Sequence, residues 1–172
     1  DFYDDWQEVA DSAYLNQSII DEWQQYAGEG VLTKDVISAV YSVKVTDMKH
    51  LQQAFSQPST QLPASIKNNT MLQALFRSNK KDAINYLFLA KSIEPFCNLQ
   101  NEWTDAPEKD SLSLNTYLKK AQQGWQQTTD PFLKQKYAFL CCKIAFYNNR
   151  LSDCIIWYDK GFGPNWVAAV QP

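Results

Sequence analysis

The sequence predicts an all-α fold, and three observations carry that prediction. Apolar residues recur at spacings of three and four along most of the 172-residue chain, which places them on one face of successive helices. Only five glycines are available to interrupt those stretches. No run alternates apolar and polar residues with the two-residue period of a half-buried strand.

The elements follow in chain order. Residues 4–14 (DDWQEVADSAY) read as a short amphipathic start, and 18–27 as a helix that ends at Gly28, a residue suited to the left-handed C-terminal turn. Thr33 is placed to cap a helix over 34–43, with Asp35 in its first turn favouring the helix dipole. Thr46 or Asp47 caps 47–57, which Pro58 ends. Pro63 opens 63–78 as a first-turn proline, Asn79 caps 80–94, and Pro95 closes that helix. Residues 96–110 lack a period and contain a proline, so a loop is expected there. A helix over 111–127 follows. Asp130-Pro131 is an N-cap with a first-position proline and opens 131–148. Asn148-Asn149 then breaks the chain, and 151–161 forms the last helix, stopped by Gly161, Gly163 and Pro164.

Composition narrows the function classes. Hydrophobic residues make up 45% and charged residues 20%, enough to build a core rather than a disordered chain. The net charge is −3 with no basic block, which argues against nucleic acid and against an anionic membrane surface as partners. No apolar run approaches the roughly 18 residues of a membrane span. The chain begins DFYDDWQEVADSAY, with neither a Met start nor a signal segment, so its native N-terminus is expected to be missing. Four cysteines and a single histidine, His50, are scattered without a CxxC pair. No metal site and no cofactor are expected from such spacing.

Two stretches resemble each other. Aligning Ala83 with Cys154, an offset of 71, pairs Ile84 with Ile155, Ala90 with Gly161 and Ala74 with Ala145. Each unit is helix, short turn, helix, and the small residues fall where two helices of a hairpin cross closely. Residues 1–57 show no such repeat, so the division expected is an N-terminal helical cap over 1–57 and degenerate hairpins over 58–172, packed as one domain.

This pattern resembles the tetratricopeptide repeat, a helix–turn–helix unit of about 34 residues. The small positions of that repeat fall on Cys142, Cys154 and Gly161 in the later unit and on Ala83 and Ala90 in the earlier one, with Pro95 on its proline position. Met71 departs from the pattern. Simple antiparallel hairpins are the alternative. The resemblance implies stacked antiparallel hairpins in a TPR-like α-α superhelix. The stretch EWQQYAG followed by DVISAVY, ahead of such repeats, is similar to uncharacterised bacterial helical-repeat proteins, some with lipoprotein-type signals. A fragment of a larger bacterial protein of the periplasm or cell envelope is therefore expected. A stack cut at its C-terminal end would leave the face carrying Ile156, Trp157 and Phe162 bare, and it would self-associate.

The repeat implies a concave groove lined by the first helix of each hairpin. Its positions fall on Lys136, Phe139, Lys143 and Phe146 in the later unit, and on Ser65, Asn68, Leu72 and Leu75 in the earlier one. Lysine and phenylalanine sharing one face suit a peptide with apolar and acidic side chains. The alternative is that both phenylalanines pack on the preceding helix. Cys142 and Cys154 face each other on this reading, either as a thiol pair able to bridge or as small buried thiols filling a close crossing. Cys141 points about 100° away round the helix. Cys97, in the loop, is expected to be the exposed, reactive thiol. Trp103 and Trp166 lie outside the helices, as ligand contacts or as loop anchors, while Trp6, Trp23, Trp125 and Trp157 sit on helical periods as core.

The function expected is non-catalytic protein or peptide binding. A cell-envelope domain that binds glycan through Trp103 and Trp166 is the alternative. His50 has no serine or carboxylate spaced to make a triad, and no pair of acids is singled out for glycoside hydrolysis, so an enzyme is the weakest of the three.

Overall fold

The computed structural model describes residues 17–97 and 111–163, and the helix expected over 4–14 lies outside them. Among the described residues the fold is all-α, with no strand. The chain divides into two compact units, Asp1–Lys80 and Lys81–Pro172.

In the first unit, α1 spans 17–27 and α2 spans Thr33–Ile37, running into a wide π turn over Ser38–Ser42. Helices α3 (Val45–Ala54), α4 (Ala64–Lys67) and α5 (Thr70–Arg77) follow. Gly28 ends α1 at φ +106°, a value that L side chains rarely adopt, as its place after the last apolar residue predicts. Three caps differ from expectation. Asn79, expected to cap the helix over 80–94, is instead the left-handed residue that ends α5 (φ 54°), and the next helix begins at Lys81. Leu32 and Lys44 occupy the N-cap positions of α2 and α3, with no side-chain bond to the helix. Thr33, Thr46 and Asp47 lie in the first turns of these helices instead.

The helix expected over 63–78 is two helices. Asn69 breaks it by accepting a hydrogen bond from the Leu72 N–H (2.9 Å), which makes Asn69 the N-cap of α5. The same residue donates from Nδ2 to the Asp35 carbonyl (2.8 Å). Beside it, Asp35 Oδ2 accepts from the Thr70 N–H (2.9 Å) and the Thr70 hydroxyl (2.6 Å), and Thr70 Oγ1 accepts from the Leu32 N–H (2.9 Å). The start of α2 and the start of α5 are thus tied by their own end groups. Around this knot, Trp23, Met48, Leu51, Ile66, Met71 and Leu75 are fully buried.

In the second unit, α6 spans Lys81–Ile93 and ends in a 3₁₀ turn at Glu94–Phe96, where Pro95 removes a donor. Helices α7 (Ser111–Gln127), α8 (Pro131–Tyr147) and α9 (Leu151–Phe162) match the expected spans to within one residue. Asp130 caps α8 as its sequence predicts, accepting from Phe132 N (2.9 Å) and Leu133 N (3.4 Å). Short turns join α7 to α8 and α8 to α9, so neighbours run antiparallel, and α8 packs on α6, α7 and α9. Its buried face carries Leu133, Tyr137, Leu140, Cys141, Ile144 and Ala145.

Glycine sets two of these approaches. A Cβ on Gly124 of α7 would lie 2.3 Å from the Tyr137 ring, and one on Gly161 of α9 would lie 2.7 Å from Ala138 Cβ. The turn after α5 and the turn after α8 share one design. Asn79 (φ 54°) and Asn149 (φ 58°) take the left-handed conformation. Lys80 N donates to Leu75 O (2.9 Å) and Arg150 N to Ala145 O (2.8 Å), each closing the last helical turn. The two turns lie 70 residues apart (149 − 79), one residue fewer than the offset of 71 in the sequence alignment.

Two predictions follow from this packing. Gly161→Ala puts a methyl group into Ala138, and overpacking of this kind costs about 1–3 kcal/mol, partly offset by about 1 kcal/mol of helix propensity. The double variant Gly161→Ala with Ala138→Gly moves the methyl across the contact and should return the denaturation midpoint to near wild type. A midpoint raised by the single variant, by the full helix-propensity gain of about 1 kcal/mol, would show that the helices do not touch there. For Asp35, burial alone would raise the carboxyl pKa, but the two Thr70 hydrogen bonds and the Lys34 charge hold it below the ordinary value of 3.8. A pKa depressed by folding contributes stability that is present above the ordinary value and is lost as pH falls through the folded one. Asp35→Asn should therefore lower stability at pH 7 and weaken its decline below about pH 4, read from urea unfolding across pH.

Candidate functional site

The α8–α9 hairpin carries the most conspicuous surface. The sequence of α9 places Leu151, Ile155, Tyr158 and Phe162 at spacings of four, three and four, which puts them on one stripe of the helix. That stripe faces outward: Leu151 is 59%, Ile155 63%, Tyr158 56% and Phe162 39% exposed. The opposite side of α9, with Trp157 and Gly161, packs inward. On α8, Phe139 and Phe146 are half-exposed, at 51% and 52%. The Phe139 ring meets Phe162 edge-on at 6.3 Å, and Phe162 stacks on Tyr158 at 5.5 Å. Phe139 therefore continues the α9 stripe onto α8, and Phe146 lies two turns further along the same face of α8.

Lys136 and Lys143 are partly exposed on α8. The Lys136 ammonium lies 5.1 Å from the Phe132 ring centre. The Lys143 charge partly offsets the effect of burial on the Cys97 thiol. Asn68 is exposed, whereas Leu72 and Leu75 are fully buried in the first unit. The expectation that Leu72 lines a groove therefore fails: its spacing put it on the apolar side of α5, and that side is the core. Asn68 instead borders a cleft of about 380 Å³ together with Glu29, Lys67, Asn69, Gln73 and Arg77.

Cys142 and Cys154 are brought together, with their sulfurs 2.7 Å apart between α8 and α9. Burial and the neighbouring Cys154 sulfur push the Cys142 thiol up to about 12. Cys141 is fully buried on another side of α8, and burial likewise pushes it up to about 12. Cys97 corrects an expectation: it is 3% exposed rather than the most accessible thiol, and burial raises it despite the Lys143 charge. Its segment lacks helical period, but the end of α6 folds it inward. His50 is exposed, as expected of a surface histidine. Trp103 and Trp166 lie outside the described residues.

One cluster had no signal in the sequence. Trp125 of α7 meets Trp157 of α9 edge-on at 5.5 Å, and Lys134 Nζ sits 4.3 Å over the Trp125 ring. Lys160 Nζ lies 4.2 Å over Trp157, and the Lys134 ammonium donates to the Trp125 carbonyl (2.8 Å). Lys160 reaches Trp157 from one turn along the same helix, but the Trp125–Trp157, Lys134–Trp125 and Lys160–Trp125 contacts join three helices, and spacing within any one of them is silent about those. Trp157 is consequently covered, and only Ile156 and Phe162 of the face expected to be bare are exposed.

Among the described residues no group of three or more His, Cys, Asp or Glu side chains is placed to hold a metal ion, and no helix is long and apolar enough to cross a membrane. No family model matches the chain, and neither a curated protein nor a solved structure matches it.

The thiol placements predict reactivity. In the native, reduced chain at neutral pH, Cys97 and Cys141 should alkylate at least about tenfold more slowly than in urea, because both are enclosed and protonated. Iodoacetamide pulses followed by peptide mass spectrometry check this. Native labelling of Cys97 as fast as in urea would place it at the surface.

Proposed function

We propose that this chain is a non-catalytic binding domain built as a degenerate tetratricopeptide-like stack, and that its α8–α9 hairpin docks a segment of a partner protein. The observation that carries the reading is the outward apolar stripe Leu151, Ile155, Tyr158 and Phe162, joined to the exposed ring of Phe139, with the exposed Phe146 two turns along the same face of α8. Contiguous exposed apolar surface on a folded domain marks interaction sites. The four–three–four spacing is that of a helix-packing seam, so the segment it suits best is an amphipathic helix with apolar residues at matching intervals. Lys136 and Lys143 supply positive charge on α8 for acidic residues flanking that segment. The tetratricopeptide-like reading draws support from the close crossing at Gly161 and Ala138, and from two like turns 70 residues apart, near twice the length of about 34 residues of one repeat.

The test uses synthetic amphipathic helical peptides with leucine at three- and four-residue spacing and acidic flanks, titrated by fluorescence anisotropy. The wild-type chain should bind, and Phe139→Ser with Ile155→Ser should weaken binding at least about tenfold, or about 1.4 kcal/mol. Both side chains are exposed, so the far-ultraviolet circular dichroism should not change. Equal binding by the variant would move the contact off this face, and no binding by any peptide would remove the helix-docking reading.

A further inference from the structure

We infer that Cys142 and Cys154 form a site of reversible covalent modification, an intramolecular disulfide that staples α8 to α9. Both residues are free thiols, and both are partly exposed, so a small reagent can reach them. Their sulfurs stand 2.7 Å apart, in direct contact across the α8–α9 seam, so a bond between them needs no rearrangement of the helices. The packing that sets this separation is independent of the sulfurs. Gly161 lets the α9 backbone close on Ala138, which lies one turn before Cys142 on α8.

The other two thiols do not compete. Cys141 is adjacent in sequence but fully buried on another side of α8, and Cys97 is 3% exposed. The selection is therefore geometric: of the four cysteines, only this pair is both in contact and accessible.

The oxidant is a small-molecule disulfide such as oxidised glutathione. The thiolate of one cysteine attacks a sulfur of the reagent, whose S–S bond breaks and releases one glutathione thiol. The thiolate of the second cysteine then attacks the protein-bound sulfur and releases the second glutathione. The chain loses two hydrogens, as two protons and two electrons, and the reagent is reduced to two thiols. The product ties two helices whose cysteines are 12 residues apart (154 − 142), with the bond lying between the helices that bear Phe139 and Ile155.

The experiment equilibrates the full chain in mixtures of reduced and oxidised glutathione, natively and in urea, and quenches with acid. Intact mass should fall by the mass of two hydrogens. Trypsin should release a cross-linked pair, residues 137–143 joined to 151–160. The cross-link should persist in Cys141→Ser and vanish in Cys142→Ser and in Cys154→Ser. Because native geometry favours the bond, the folded chain should be half-oxidised under conditions at least about tenfold more reducing than the urea-unfolded chain. A cross-link that survives Cys142→Ser, a stable mixed disulfide with glutathione in place of the ring, or equal oxidation of folded and unfolded chains would each overturn the inference. None of these readouts depends on the docking role of the hairpin.

Discussion

The second unit depends on how closely α8 is approached by its neighbours. Two glycines permit it: Gly124 accepts the Tyr137 ring where a Cβ would stand 2.3 Å away, and Gly161 accepts Ala138. Removing side chains at these points costs apolar burial locally. It gains contact along the whole crossing, because helices that approach closely bury the residues on either side as well. Tyr137 then lies against Tyr86 at 5.1 Å, edge to face, and burial pushes both phenols up, beyond the usual tyrosine range. The Cys142–Cys154 contact is a consequence of the same geometry, since small sulfur-bearing side chains fill the seam where larger ones would hold the helices apart.

The first unit is joined by a different interaction. Its helices are short, and α4 is a single turn of four residues, too short to be stable alone. What orders them is the polar knot of Asp35, Asn69 and Thr70, in which each side chain satisfies backbone groups that the helix ends leave unpaired. Asp35 serves α5 from outside it: its carboxylate accepts from the N–H at the first position of that helix, where negative charge is favoured by the dipole. Apolar burial drives the unit together, and these bonds decide which helix start meets which.

The exposed face of the α8–α9 hairpin shows how a pattern becomes ambiguous. Leu151, Ile155, Tyr158 and Phe162 have the spacing of a core stripe, and Trp157 and Gly161 have it too. An amphipathic helix normally has one such face. Here α9 has two, and which one is buried depends on where α8 and α7 stand. The aromatic pair Phe139 and Phe146 is equally undecided by spacing: either ring would pack as well on a preceding helix as stand in solvent. Their exposure is set by the direction from which α9 approaches.

The amino-acid sequence by itself determined the all-α class, the spans of α7, α8 and α9, the Gly28 stop and the Asp130 cap, because each rests on local chemistry. Apolar period, backbone freedom at glycine and side-chain oxygens near a helix start act within one or two turns. The split at Asn69 was locally encoded as well, by a residue that prefers caps, but the helix-favouring run around it masked the signal. Tertiary structure decided the rest. It buried Cys97 and Leu72, set Lys134 and Lys160 over Trp125 of another helix, and placed the two like turns 70 residues apart, where the sequence alignment has an offset of 71. Those outcomes depend on contacts between residues far apart in the chain, whose directions are set only once the helices have packed.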